Sequence, residues 1–233
     1  MSKKLLIIFL TIVVGFTFAS ISMAVGEPGF KKQDIDKATK ECKDDSPCVP
    51  ELAPTKDEEG NFNIALLEVA KPNADSLIAG WCPQRHCTEY LNDGFYNNCR
   101  SWISATAPGN EAWAEIDLGD TYPIKKVGFG SDHCENYKDR AAKDFKILVA
   151  KDYDADSNAA SWKVVYDNKK GDQTSKTTYF EFSETVARYV RISVMNTSGS
   201  EIRIDEIEIY SGTLAVTPKD KLTTCWGKIK KSY

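Results

Sequence analysis

From residue 61 onward the apolar residues of this 233-residue chain recur with a period of two, and no segment there sustains a 3.6-residue apolar stripe. In Ala112 to Leu118 the small and apolar residues Ala112, Ala114, Ile116 and Leu118 share one face, as in a half-buried strand. Similar runs follow at 124–129, 145–150, 162–166, 178–182, 189–194 and 202–210, separated by turn clusters such as Gly119-Asp120 and Asn196 to Ser200. Many short strands without helices predict an all-β fold, an antiparallel sandwich or barrel. The last run breaks its own parity: Ile202 and Ile204 face one way, Ile207 and Ile209 the other. Pairing must slip at Asp205 and Glu206, most simply through a β-bulge that turns a carboxylate from solvent toward a loop. A frayed edge strand with solvated acids is the alternative.

The ends of the chain read differently. Lys3 and Lys4 precede an apolar stretch at 5–18 and small residues up to Ala24, which predicts a secretory signal peptide at 1–24, with an uncleaved N-terminal anchor as the alternative. Either places the protein outside the cell, secreted or on the extracellular surface. Close to half of the residues from Glu27 to Gly60 are charged and four prolines interrupt them, so 25–60 is expected to be a linker. Cys42 and Cys48 lie inside it and could close a small loop between themselves. The β domain is expected over 61–212 and a basic tail with Trp226 and Cys225 over 213–233. A net charge of −4 excludes a general nucleic-acid binder, which needs a basic face. No nucleophile elbow, phosphate loop or His-Glu-x-x-His helix is present, so the chain is not expected to be an enzyme.

Several segments in order complete a pattern: Asn63-Ile64-Ala65, Leu91-Asn92-Asp93-Gly94 leading to Ser101-Trp102, Trp113 to Gly119, Ala187 to Ile192, and Asp205 to Tyr210. Together they resemble the coagulation factor V/VIII type C, or discoidin, family and its galactose-binding-like relatives among carbohydrate-binding modules. The resemblance implies an antiparallel jelly-roll β-sandwich whose loops at one end bind the ligand, on a surface protein that does no chemistry. The expected partner is a glycan or glycoconjugate, with a protein or phospholipid surface, or service as a targeting subunit of a carbohydrate-active enzyme, as alternatives. Arg188 and Arg191 fall in the strand motif, where they read as ion-pair or packing residues. Trp102 and Trp113 read as core. The resemblance also implies a structural calcium ion held by Asp93 and Glu206, with Ser101 and carbonyls near Asn92 or Asn98 as further oxygen donors.

The implied ligand loops bring in Trp81, Arg85, His86, Tyr90, Tyr96, His133, Asn136, Tyr137, Arg140 and Asn196. Sugars are held by planar polar groups that satisfy paired hydroxyls and by an aromatic face that covers the apolar side of the ring. No aromatic occurs at 195–200, before the last strand, which adds weight to a protein or lipid ligand. Zinc at the two Cys-flanked histidines has no matching ligand spacing. In an oxidising compartment Cys82, Cys87, Cys99 and Cys134 are expected to form two disulfides. Three connectivities are open, with Cys82–Cys87 and Cys99–Cys134 preferred.

Overall fold

The alternation at Ala112 to Leu118 opens one of the two long strands on which the rest of the fold is hung. The computed structural model describes residues 29–42, 48–169, 174–197 and 199–214. The expected signal peptide and the tail from residue 215, with Cys225 and Trp226, lie outside them. A helix α1 (Ile35–Cys42) precedes the short strands β1 (Glu51–Leu52), β2 (Phe62–Asn63), β3 (Lys71–Ala74), β4 (Phe95–Tyr96) and β5 (Trp102–Ile103). The longer strands β6 (Ala112–Gly130), β7 (Ala142–Ala150), β8 (Lys163–Asn168) and β9 (Thr178–Thr197) follow, and β10 (Arg203–Ile204) and β11 (Glu206–Ser211) come last.

Strands β6 and β9 pair antiparallel over most of their length, with register shifts between Asp117 and Tyr122 and between Ile124 and Lys126. On one side of the first shift β3 joins Ala114 to Asp117 and β7 joins β9, with β8 beyond. On the other side β11 joins β6 from Ile124 to Gly130, with β2 beyond. One ladder thus supplies both layers of an antiparallel β-sandwich, as expected. Ala112, Ala114, Ile116 and Leu118 are all buried. Between the layers Phe129 meets Phe145 edge-on at 5.0 Å and Phe180 at 5.4 Å, an aromatic packing worth about 0.5–1.5 kcal/mol per pair beyond burial alone.

The parity slip is a change of partner. Arg203 and Ile204 pair with Ile103 and Trp102, whereas β11 pairs with β6 and β2. The backbone crosses between the two ladders at Asp205, whose N–H donates to the Gly130 carbonyl at 2.9 Å. Gly130 is required there, because a Cβ would lie 2.5 Å from the backbone of Lys176. Ile202, Ile204, Ile207 and Ile209 are all buried, and so are Asp205 and Glu206.

The described residues of the expected linker lie against the sandwich. Lys31 N–H donates to Leu66 C=O at 2.8 Å, α1 buries Ala38 and Cys42, and Ala53 packs with Leu66 and Tyr96. Asp57 pairs with Lys126 of β6, both side chains being nearly buried. Disulfides complete the attachment: Cys42 bonds Cys99 and Cys48 bonds Cys134. Cys82–Cys87 forms as expected. The preferred Cys99–Cys134 bridge does not form, nor does a Cys42–Cys48 loop. Cys99 and Cys134 instead find partners in the N-terminal segment, at Cα separations of 5.5 and 6.2 Å that a disulfide spans.

Candidate functional site

Three loops at one end of the sandwich are each closed or anchored by a disulfide. In the first, Cys82–Cys87 closes a turn in which the N–H groups of Arg85 and His86 donate to the Trp81 carbonyl. Its far end is fixed by a bridge to the strand beside it, Cys87 N–H to Ser101 C=O at 3.1 Å and Ser101 N–H to Arg85 C=O at 3.0 Å. In the second, Cys99 is tied to Cys42, and Asn97 and Cys99 both hold left-handed backbone conformations, φ 58° and 62°. In the third, Cys134 is tied to Cys48, and the Asp132 carboxylate accepts the N–H groups of Cys134, Asn136 and Tyr137 at 3.3, 2.6 and 3.0 Å. Such a loop keeps its shape without help from a ligand.

The loops enclose a cavity of about 280 Å³. Its floor is Ile78 and Ile103, and its polar walls are Arg85, His86, Asn97, Asp132, Asn136, Arg140 and Arg203. Two aromatic side chains stand at its edge with about half of their surface in solvent, Trp81 at 47% and Tyr137 at 48%. Among the described tryptophans the contrast is plain. Trp102 and Trp162 are buried, and half-buried Trp113 lies under the Arg191 guanidinium at 4.1 Å. Trp81 therefore owes its position to something other than the core.

His86 lines this cavity with Nδ1 3.0 Å from Ser101 Oγ. Burial first, and then the positive charge of Arg203 with smaller contributions from Arg140 and Arg85, lowers its pKa to about 4. The imidazole is neutral at physiological pH and can both donate and accept. The guanidinium carbons of Arg203 and Arg140 stand 4.8 and 5.9 Å from the Tyr137 ring centroid.

Of the ten expected ligand residues, the structure gathers six here: Trp81, Arg85, His86, Asn136, Tyr137 and Arg140. The other four lie elsewhere. Tyr96 is buried in a small cluster with Ala53 and stacks on His133 at 4.5 Å, and His133 Nε2 lies 3.6 Å from Glu51. Tyr90 donates to the Pro83 carbonyl and lines a separate depression with Asp93 and Arg100. Asn196 accepts the N–H of Thr197 and borders a shallow cleft beside Met195. Arg203, Asn97 and Asp132 join the cavity without having been anticipated. Arg203 was open to detection, since it has the parity opposite to Ile202 and Ile204 just before the strand changes partner.

Calcium is frequent in this family, but the donor set here does not fit it. Asp93 and Glu206 do lie near each other, and burial first, then their mutual repulsion, raises Glu206 well above the usual carboxylate range. Asp93 is raised to about 7, also mainly by burial. Their oxygens are already engaged: Glu206 accepts Gly94 N–H at 3.2 and 3.3 Å, and Asp93 accepts Phe95 N–H at 3.1 Å and the Asn98 amide at 2.9 Å. Ser101 faces His86 instead. Buried Asn92 Oδ1, Asn97 Oδ1 and Asp205 Oδ1 have no hydrogen-bond partner among the described residues, yet three free oxygens fall well short of the 6 to 8 that calcium takes. A cation is present already, because Lys31 Nζ donates to the Asn92 carbonyl at 2.9 Å.

Arg188 and Arg191 are structural, as their place in the strand motif implies. Arg188 holds Asp117 through two bonds at 2.7 and 2.8 Å. Buried Arg191 reaches Glu115 at 2.7 and 2.9 Å.

Comparison with known proteins agrees with this geometry. The F5/8 type C domain profile matches residues 79–207, which include every lining residue of the cavity but Ile78 of its floor. No curated protein matches the chain. Among solved structures, CpGH89CBM32-5 from Clostridium perfringens, in complex with GalNAc-β-1,3-galactose, is similar with a TM-score of 0.52 at 15% identity, over 65% of this chain and 99% of that one. Chitosan-binding module 2 of a chitosanase/glucanase from Paenibacillus sp. IK-5, in complex with chitotriose, is similar with a TM-score of 0.51 at 23% identity, over 64% of this chain and 100% of that one. These two likenesses establish the fold. By the span and the placement of its matching residues, this chain belongs to the F5/8 type C, or discoidin, domain family.

Proposed function

We propose that this chain is an extracellular, non-catalytic glycan-binding module whose ligand seats in the cavity between Trp81 and Tyr137. The observation that carries the reading is the placement of two half-exposed aromatic side chains over walls of planar hydrogen-bonding groups, His86, Asn97, Asn136 and the arginines. An aromatic face covers the apolar side of a sugar ring, and flat polar groups meet its paired hydroxyls. The three disulfides support export, since such bonds persist in oxidising compartments. They also restrain the three loops in advance, which lowers the ordering cost of binding. The sugars named for the two similar structures favour the same class of ligand. Calcium has no part in this reading, because Lys31 brings the positive charge to Asn92, Asp93 and Glu206.

Binding of the full chain to an array of immobilised glycans, run beside sedimentation with phosphatidylcholine and phosphatidylserine vesicles, tests the reading. Retention on a defined set of glycans, reduced in a Trp81→Ala variant, is the expected result. Co-sedimentation with vesicles and no retention on any glycan would replace this reading with membrane adhesion.

A further inference from the structure

The cavity has an unusual charge for this protein. The chain as a whole carries −4, yet Arg85, Arg140 and Arg203 line one space of about 280 Å³. Their fields converge on His86, where all three contribute to holding the imidazole neutral. Arg140 and Arg203 also approach the same Tyr137 ring, so two like charges share one aromatic neighbour. Like charges held close in a partly desolvated space repel, and an anion placed between them relieves that cost.

The acids nearby supply that anion only in part. Asp132 lines the cavity, but its carboxylate accepts three N–H groups of its own loop. Asp205 Oδ2 accepts Asn97 N–H, and its Oδ1 lies 4.0 Å from Arg203, a long ion pair without a hydrogen bond that offsets the Arg203 charge only in part. Among the described residues no carboxylate stands within ion-pair distance of Arg140. The Nε atoms of Arg140 and of nine-tenths-buried Arg203 have no hydrogen-bond partner there. Buried guanidinium donors left without acceptors are costly, and a carboxylate or sulfate matches their forked geometry.

We propose that the ligand of this cavity is an acidic saccharide, a sugar bearing a carboxylate or a sulfate ester, and that Arg140 and Arg203 receive the anionic group. This rests on the glycan-binding reading above and specifies its substrate class. Trp81 and Tyr137 then cover the sugar ring while His86, Asn97 and Asn136 meet its hydroxyls. Recognition of this kind is steered by charge, and salt weakens it.

The test uses paired ligands that differ only in charge: an oligogalacturonate against its carboxyl-reduced form, and a sulfated galactose oligosaccharide against its desulfated form. With the full-length protein at about 50 mM salt, one acidic member should bind about tenfold more tightly than its neutral partner, and the gap should narrow at about 500 mM. Which acidic member wins distinguishes carboxylate from sulfate. Arg140→Gln should remove the preference, lowering affinity for the acidic member about tenfold more than for its neutral partner, as expected if the guanidinium receives the charge. Equal affinities for acidic and neutral members, with both lost in Trp81→Ala, would overturn this inference and leave the glycan-binding reading standing. Absence of binding to every ligand in the panel would overturn both.

Discussion

The ammonium of Lys31, from the segment ahead of the sandwich, donates to the carbonyl oxygen of Asn92 at 2.9 Å beside the carboxylates of half-buried Asp93 and buried Glu206. Burial alone lowers its pKa, and those two carboxylates act to raise it. A tethered cation so placed makes a divalent ion unnecessary. The melting temperature should therefore be the same with and without a chelator, and added calcium should not raise it. Lys31→Met, which leaves half-buried Asp93 and buried Glu206 without that charge, should lower the melting temperature by about 2–8 °C, for a loss of about 1–2 kcal/mol in a domain of this size. A transition that drops on chelation and returns with calcium would contradict this.

Arg191 and Glu115 form a pair with side-chain exposures of 0% and 2%, and the guanidinium also reaches the Ala155 carbonyl and Ser157 and lies between Trp113 and Trp162. Removing one partner strands a buried charge. Glu115→Ala should cost about 3–5 kcal/mol in chemical denaturation, and the Glu115→Leu, Arg191→Met pair should cost much less than the sum of its single changes. Additive losses would show that the two residues act independently.

Cys48–Cys134 holds the loop bearing Asn136, Tyr137 and Arg140 to the N-terminal segment across 86 residues of chain. A Cys48→Ser, Cys134→Ser variant should lose about 2–4 kcal/mol of stability. It should also bind glycan more weakly at temperatures where the sandwich stays folded, because loop ordering is then deferred to the binding step. Undiminished affinity in a folded variant would show that the loop holds its shape unaided.

His86 titrates near 4 in the folded chain against an ordinary value of 6.5, from burial first and then the Arg203 charge. Between those values the unfolded chain binds more protons than the folded one, so stability rises with pH across this window. The contribution is complete above about 6.5 and is lost as pH falls through about 4. A nuclear magnetic resonance titration should find the imidazole neutral at pH 5.5, and His86→Gln should flatten the fall in melting temperature between pH 7 and 4.5. A midpoint near 6.5 would show a solvated ring outside the arginine field.

The strand layers were legible because a period of two is imposed by burial on one face, as Ala112 to Leu118 shows. Six of the ten residues expected at the ligand face line one cavity because the resemblance located the loops that carry them. Tyr96 and His133 were not separable from them, since a loop aromatic that packs inward has the same local sequence as one that faces out. The N-terminal segment was hidden by its charge. Its few anchors, Phe30, Ala38, Ala53 and two cysteines, have no periodicity, and the disulfides that fix them connect residues 57 and 86 positions apart. Arg203 left a trace in its parity, opposite to Ile202 and Ile204, but its entry into the cavity depends on the change of strand partner at Asp205, which the alternation alone does not show.

A sugar seated in this cavity lies on the exposed indole of Trp81. Isothermal titration of the full chain and of Trp81→Ala with the glycan most strongly retained on the array measures this directly. The variant should keep the parent's melting temperature, because Trp81 is 47% exposed and outside the core, and lose affinity by about tenfold to a hundredfold, the effect of removing about 1.5–3 kcal/mol of contact. Equal affinity in parent and variant would contradict it.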